Sequence, residues 1–258
     1  KVIKAIPFTT VPNKMKATIA INEIITFASQ FRRNIVLWDG TRVPINTIAF
    51  ILTGSGNGKD SSVRAARKCF KPGYQRVEEE REAINIKQAQ SLALDDGQKL
   101  YAEENVYKDY LKTEPPLFMS PTSGPGFIQH INDLGEHDFG AGLMYSGEFG
   151  DELAYNQDMT ECIKVLSETY DLGEKEIKYT KAKEFRSKEI SGQPVSALMV
   201  GSPTYILYDE QVKKKFNIAF MSKLARRSWF CFAPEQLKEK ACSTIEEMIE
   251  YEEEIDRI

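Results

Sequence analysis

The feature that most constrains this 258-residue chain is an apolar, β-branched run that ends in a glycine turn. Ile45 to Leu52 is broken only by Asn46 and Thr47, which is too apolar for a strand with one wet face and predicts a central parallel strand buried on both. The run passes directly into Thr53, Gly54, Ser55, Gly56, Asn57, Gly58, Lys59, Asp60, Ser61 and Ser62, and a helical pattern then opens with Val63, Ala66 and Phe70. Glycines between a strand and a helix let backbone N–H groups converge on anionic oxygens. The helix amino end adds partial positive charge, and a lysine placed there reaches terminal phosphates. Thr53 to Ser61 are therefore the candidate polyphosphate contacts, with Lys59 foremost. Measured against Gly-x-x-x-x-Gly-Lys-Ser/Thr, the loop departs twice, with Thr53 at the first glycine and Asp60 at the hydroxyl position. That hydroxyl normally binds Mg²⁺. A carboxylate is a hard oxygen donor suited to the same place, and Ser61 supplies a hydroxyl instead if the helix begins one residue late.

Around this unit the pattern alternates. A helix is predicted over Met15 to Phe31, with Ile21, Ile24, Ile25 and Ala28 on its core face. Ile35 to Trp38, Asp39-Gly40 and a stretch to Val43 read as strand and turn. Pro72-Gly73 should end the helix after the loop, and Gln75 to about Lys112, with a break at Asp95-Asp96-Gly97, reads as two long exposed helices. After Pro115-Pro116 come a strand at Leu117 to Met119, a helix at Phe127 to Leu134, a strand at Gly142 to Ser146 and a helix at Met159 to Tyr170. A strand at Val195 to Val200, a helix at Ile206 to Phe216 and a strand at Trp229 to Phe232 follow. Such alternation predicts an α/β domain with a mainly parallel sheet. The divisions are an N-terminal helix and leading strand over 1–44, a phosphate-loop domain over 45–234 with a charged helical insertion at 75–114, and an acidic helix over 235–258.

Composition removes other classes. With 34 Lys+Arg against 38 Asp+Glu, a net charge of −4, the chain is not a globally basic nucleic-acid binder. Most of the negative excess lies in the tail, which carries nine acids against three bases, so the remaining body is slightly basic. No apolar run approaches the ~20 residues that span a bilayer, and a cytoplasmic setting is expected. Cys69, Cys162, Cys231 and Cys242 form no zinc pair or disulfide pattern, and His130 and His137 have no metal-ligand spacing. Lys213-Lys214-Lys215 reads as a solvated helix face, and Trp229, Phe230 and Phe232 as core strand residues.

A phosphate loop needs a second strand carrying a carboxylate to polarise the attacking water. Gly142 to Glu148 is the best candidate, an apolar strand followed by Gly147 and an acid, with Glu148 as general base or water-positioning residue.

Read in order, the chain carries Arg32-Arg33, the strand and glycine loop, charged helices, and Ser120-Pro121-Thr122-Ser123. The strand to Glu148, Tyr170-Asp171, Gly201-Ser202-Pro203 and Ser222-Lys223-Leu224-Ala225-Arg226 follow. This order resembles the RecA-type P-loop ATPases of phages and prophages that accompany primases and are regarded as replicative helicase-like. The resemblance covers roughly residues 30 to 234 and rests on ordering and short motifs. It implies a RecA-like P-loop NTPase that hydrolyses ATP with Mg²⁺, with single-stranded DNA as its partner and a homo-oligomeric ring as its working form, in the bacterial host cytoplasm if phage-encoded. It implies Lys59 as the phosphate lysine and Glu148 as the catalytic acid of an Asp-Glu pair whose Asp is here Gly147. It also implies Ser202 and Thr204 as γ-phosphate sensors, and Arg226, with Arg227 adjacent, as an arginine reaching a neighbour's nucleotide. The missing acid at Gly147 and the extra acid at Asp60 suggest that the Mg²⁺-binding carboxylate has moved from one wall of the site to the other. Two alternatives stand beside this reading. One is a nucleotide kinase, although no arginine-rich lid is visible beyond Arg76 and Arg81. The other is a nucleotide-responsive assembly module with a degenerate Mg²⁺ site.

Overall fold

The apolar run forms a strand, Ile48–Thr53, in the interior of a five-stranded sheet whose pairings are all parallel. The computed structural model describes residues 1–6, 11–54, 56–95, 106–112, 115–120, 123–135, 140–174 and 192–233. In chain order these give α1 (Asn13–Ser29), a hairpin of β1 (Asn34–Val36) and β2 (Arg42–Pro44), β3 (Ile48–Thr53), α2 (Lys59–Lys68) and α3 (Lys71–Asp95). There follow β4 (Phe118–Met119), α4 (Gly124–Gly135), β5 (Gly142–Ser146), α5 (Phe149–Tyr155), α6 (Gln157–Thr169) and β6 (Val195–Gly201). The last are α7 (Thr204–Tyr208), α8 (Glu210–Ala219) and β7 (Ser228–Ala233). The expected acidic helix over 235–258 lies outside the described residues, as do Ser55, His137 and Cys242. Among the described residues no helix is long and apolar enough to cross a membrane.

The sheet order is β4-β5-β6-β3-β7. Side chains of β3 alternate between two cores, which is why the run carries no polar alternation. Ile48, Phe50 and Leu52 join α4, α5, α6 and α8 on one face, while Ala49 and Ile51 join Met15 and Ile19 of α1 and Val63 and Ala66 of α2 on the other. Phe50 is the pivot of the first core, in edge contact with Phe149, Phe216 and Phe220. The two neighbouring strands β3 and β6 therefore send their following helices to opposite faces. A crevice opens at their carboxyl ends, the place where open parallel sheets bind ligands.

Helix α1 departs from the expected orientation. Ile21 and Ile24 are exposed, and the buried face is Met15, Ile19, Asn22, Glu23 and Thr26. An ion pair turns it inward: Arg67 of α2 donates through Nη2 (2.9 Å) and Nε (3.2 Å) to the two oxygens of Glu23, which is fully buried. The guanidinium also lies over the rings of Phe118 (4.4 Å) and Tyr145 (5.6 Å). Burial raises the pKa of Glu23, and Arg67 draws it back. Periodicity counts apolar residues, so it cannot see a helix docked by a forked salt bridge.

Four further expectations are corrected. Pro72-Gly73 does not close a helix but opens α3, where proline is tolerated in the first turn and Gly73 leaves room for the Phe27 ring. The second long helix is not found in the described part of its range, where 106–110 is a short 3₁₀ turn. Trp229, Phe230 and Phe232 are not core residues, because β7 is an edge strand and all three are exposed. The helix expected over Ile206 to Phe216 is two, split at Asp209, whose carboxylate caps α8 by accepting from Gln211 and Val212 N–H.

Arg67→Ala leaves the Glu23 carboxylate buried without its partner, and stability should fall by about 3–5 kcal/mol. The Glu23→Leu/Arg67→Met double variant should recover most of that loss, both read from urea unfolding midpoints.

Candidate phosphate-binding site

The loop between β3 and α2 is shaped by two left-handed glycines, Gly56 (φ 81°) and Gly58 (φ 64°), the second forming the N-cap of α2. A side chain at Gly58 would adopt a conformation that L-residues reach only at a cost of roughly 1–2 kcal/mol. The cap carbonyl accepts both the N–H and the hydroxyl of Ser62, fixing the first helical turn. Backbone amides at such a left-handed turn and helix start point outward, as an anion cradle requires.

Thr53 and Asn57 do not face that cradle. Thr53 is buried, donates its hydroxyl to the Ala233 carbonyl (2.7 Å) and accepts from Asn57 Nδ2 (2.7 Å). Their side chains lock the loop onto the end of β7. The threonine at the first glycine position of the motif is thus a brace rather than a ligand contact.

Lys59, at the first position of α2, is 8% exposed, and its ammonium meets Glu148 Oε1 at 2.8 Å. The sequence separation is 89 residues, so the contact depends on β3 and β5 ending together across β6. Gly201 at the end of β6 allows it. A Cβ there would sit 3.1 Å from the Phe149 nitrogen and 3.3 Å from that of Gly150, so the α5 amino end closes directly on the strand and carries Glu148 to Lys59. Ser202 and Thr204 lie just beyond Gly201, with their hydroxyls 2.8 Å apart and the Thr204 N–H donating to Ser202 Oγ.

Asp60 is exposed at the mouth and accepts a 2.6 Å hydrogen bond from the Tyr145 hydroxyl. A Cβ on Gly147 would be 3.5 Å from Asp60 Oδ1, so the Asp60 carboxylate fills the space beside position 147. The helix starts at Lys59 and not one residue later, so the condition for Ser61 to replace Asp60 is not met. Among the described residues no group of three or more His, Cys, Asp or Glu could cage a metal. A Mg²⁺ ion needs less, since one or two protein carboxylates suffice when phosphates and water complete the shell. Asp60 meets that requirement.

Arg226 is not at this site. β7 runs parallel to β3 with Ser228 opposite Ile48, so Arg226 and Arg227 lie at the amino edge of the sheet, roughly 17 Å of strand from Thr53. Arg226 is exposed, whereas Arg227 forks onto Asp171, whose carboxyl it holds below the ordinary carboxylate range. His130 is half-buried against the Pro116 backbone, and burial lowers its pKa. Lys215 donates to the Leu153 and Ala154 carbonyls at the end of α5, and Lys213 pairs with Glu210, so the lysine run is partly engaged in capping.

Three residues of the site were not legible in the sequence. Tyr145 reads as one more apolar strand residue, and Arg67 as a solvated helix residue. Glu152, one turn past Glu148, sits beside Ser146, and its pKa is raised by burial with additions from Glu148 and Asp151.

No protein-family model, curated protein or solved structure matches the chain.

Gly201→Ala should force the α5 amino end away from β6 and separate Glu148 from Lys59. Overpacking of this kind costs roughly 1–3 kcal/mol, measurable by chemical denaturation.

Proposed function

We propose that the chain is a RecA-like P-loop NTPase, the ATP-hydrolysing module of a phage-type replication helicase or primase-helicase acting on single-stranded DNA as a ring. The observation that carries the reading is the 2.8 Å contact between Lys59 and Glu148, made at the carboxyl ends of parallel strands beside the glycine loop. An ammonium at a helix start with no anion bound is held by the nearest carboxylate. An incoming polyphosphate offers more negative charge and competes for the same ammonium, and Lys59 exchanges Glu148 for phosphate oxygens. That exchange releases Glu148, whose side chain is already about half exposed, to accept a hydrogen bond from water on the far side of the terminal phosphate. Loop amides and Lys59 stabilise charge developing on the transferred group. Asp60 would hold a Mg²⁺ ion, which would supply positive charge against the phosphate oxygens. Ser202 and Thr204 stand at the end of the strand between the two walls, in position to hydrogen-bond a terminal phosphate. Arg226 acts only on a neighbouring copy, since its own site lies across the sheet.

The kinase alternative loses support from Arg81, which is buried and donates to the Pro115 carbonyl rather than standing in a lid. The assembly-module alternative keeps one observation in its favour, the missing acid at Gly147.

The test is sizing by light scattering with and without ATP-Mg²⁺, alongside phosphate release with and without single-stranded DNA. The expected result is nucleotide-dependent oligomers and DNA-stimulated multiple turnover. Assembly with no turnover supports the second reading, and phosphate transfer to a nucleotide acceptor supports a kinase. Glu148→Gln should keep or tighten nucleotide binding, because Lys59 loses its competing anion, while turnover falls by about 10²–10⁴-fold. Lys59→Ala should abolish binding in a fluorescent-nucleotide titration.

The relocated-carboxylate idea has its own check. Asp60→Ser should abolish Mg²⁺-dependent hydrolysis, and adding Gly147→Asp should restore part of it, because the two positions border one volume. Additive losses in the double variant would sink the idea.

A further inference from the structure

The Asp60 carboxylate stands at an exposed mouth, where a lone aspartate would sample several rotamers. It does not stand alone. Tyr145 lies on the face of β5 turned toward α2, with Leu143, and its hydroxyl crosses to Asp60 Oδ1 at 2.6 Å. The ring is itself held. Arg67, two helical turns beyond Asp60, lies over it at 5.6 Å and is pinned from behind by the fully buried Glu23. A Cβ on Gly147 would be in ordinary contact with Tyr145 Cε1 and the hydroxyl oxygen, both at 3.7 Å, so position 147 borders the ring and the carboxylate alike.

We propose that Tyr145 is a positioning residue that fixes the Asp60 carboxylate for a divalent cation, with the Glu23–Arg67 pair setting the ring. The inference rests on the nucleotide reading above and adds a residue that no motif assigns. One carboxylate oxygen accepts from the phenol, which would leave the other for the cation. Partners that orient a metal-binding carboxylate typically matter 10–100-fold in metal affinity.

The test uses the full chain and Mn²⁺ as probe. Mn²⁺ binding in the presence of nucleotide is followed by electron paramagnetic resonance, and nucleotide affinity is measured separately in chelator. For Tyr145→Phe the expected result is a 10–100-fold rise in half-saturating Mn²⁺ with metal-free nucleotide affinity unchanged. Tyr145→Phe/Gly147→Ser should regain part of the metal affinity, because a hydroxyl on position 147 lies within reach of Asp60 Oδ1. An unchanged Mn²⁺ half-saturation in Tyr145→Phe overturns the inference while leaving the nucleotide reading intact. Equal losses of metal-free and metal-bound nucleotide affinity mark a purely structural tyrosine and also overturn it. Failure of the unsubstituted protein to bind nucleotide overturns the nucleotide reading, and the inference falls with it.

Discussion

The Lys59 ammonium and the Glu148 carboxylate come from strands that are not neighbours, and their meeting sets the requirements for the rest of the domain. β6 must lie between β3 and β5 and end in a residue without a side chain, or α5 could not close over it. The helix after β3 must take one face and the helices after β6 the other, or no crevice would open at their ends. The glycine loop must turn twice through left-handed backbone to place Lys59 at a helix start. With these conditions met, a positive helix end and an ammonium converge in one small volume. The carboxylate is the counter-charge that makes this tolerable in the absence of an anion. Under the proposed function an anion would compete with Glu148 for the Lys59 ammonium, so that binding and release of the acid would be a single event.

A second electrostatic contact holds the scaffold behind the site. Glu23 and Arg67 bind α1 to α2, and the guanidinium reaches forward over Tyr145 toward the loop. This polar seam lies beneath α1, where Asn22 and Thr26 also bury polar atoms. Its consequence is on the outside of the helix, where Ile21 and Ile24 are left exposed. An all-apolar interface would leave α1 free to rotate by a residue. A forked ion pair has one geometry and fixes the helix that braces the loop.

How much of this the sequence carries depends on the type of signal. β3, β5 and β6 are legible because strands buried on both faces read as near-continuous apolar runs, and the glycine loop because left-handed backbone selects glycine. Lys59 and Glu148 are legible as candidates because each follows such a strand. Their contact is not, since strand order is a tertiary property and the separation is 89 residues. The orientation of α1 is misread because its docking face is ionic, and β7 because an apolar edge strand has the composition of an interior one. Thr53 is found at the right place with the wrong role, its hydroxyl consumed by Ala233. Tyr145 gives no signal, because the bond that makes it important ends on a residue 85 positions away.

The placement of Arg226 constrains any assembly. Lys59, Asp60 and Glu148 stand at the carboxyl edge of the sheet, while Arg226 and the root of the β1–β2 hairpin stand at the amino edge, the root tied to Gly140 just before β5. Residues 33–40 of that hairpin are all exposed, Trp38 almost completely, and an isolated two-stranded ribbon is marginal in water. A two-fold dimer that joins amino edge to amino edge would cover the hairpins but keep Arg226 away from the neighbour's Lys59. For the proposed role of Arg226, a head-to-tail contact, amino edge of one copy on the carboxyl edge of the next, would bring it to the neighbour's Lys59. Such contacts are heterologous and close into rings or extend as filaments. If Arg226 has the proposed role, its place relative to the sheet disfavours an assembly that joins amino edge to amino edge alone.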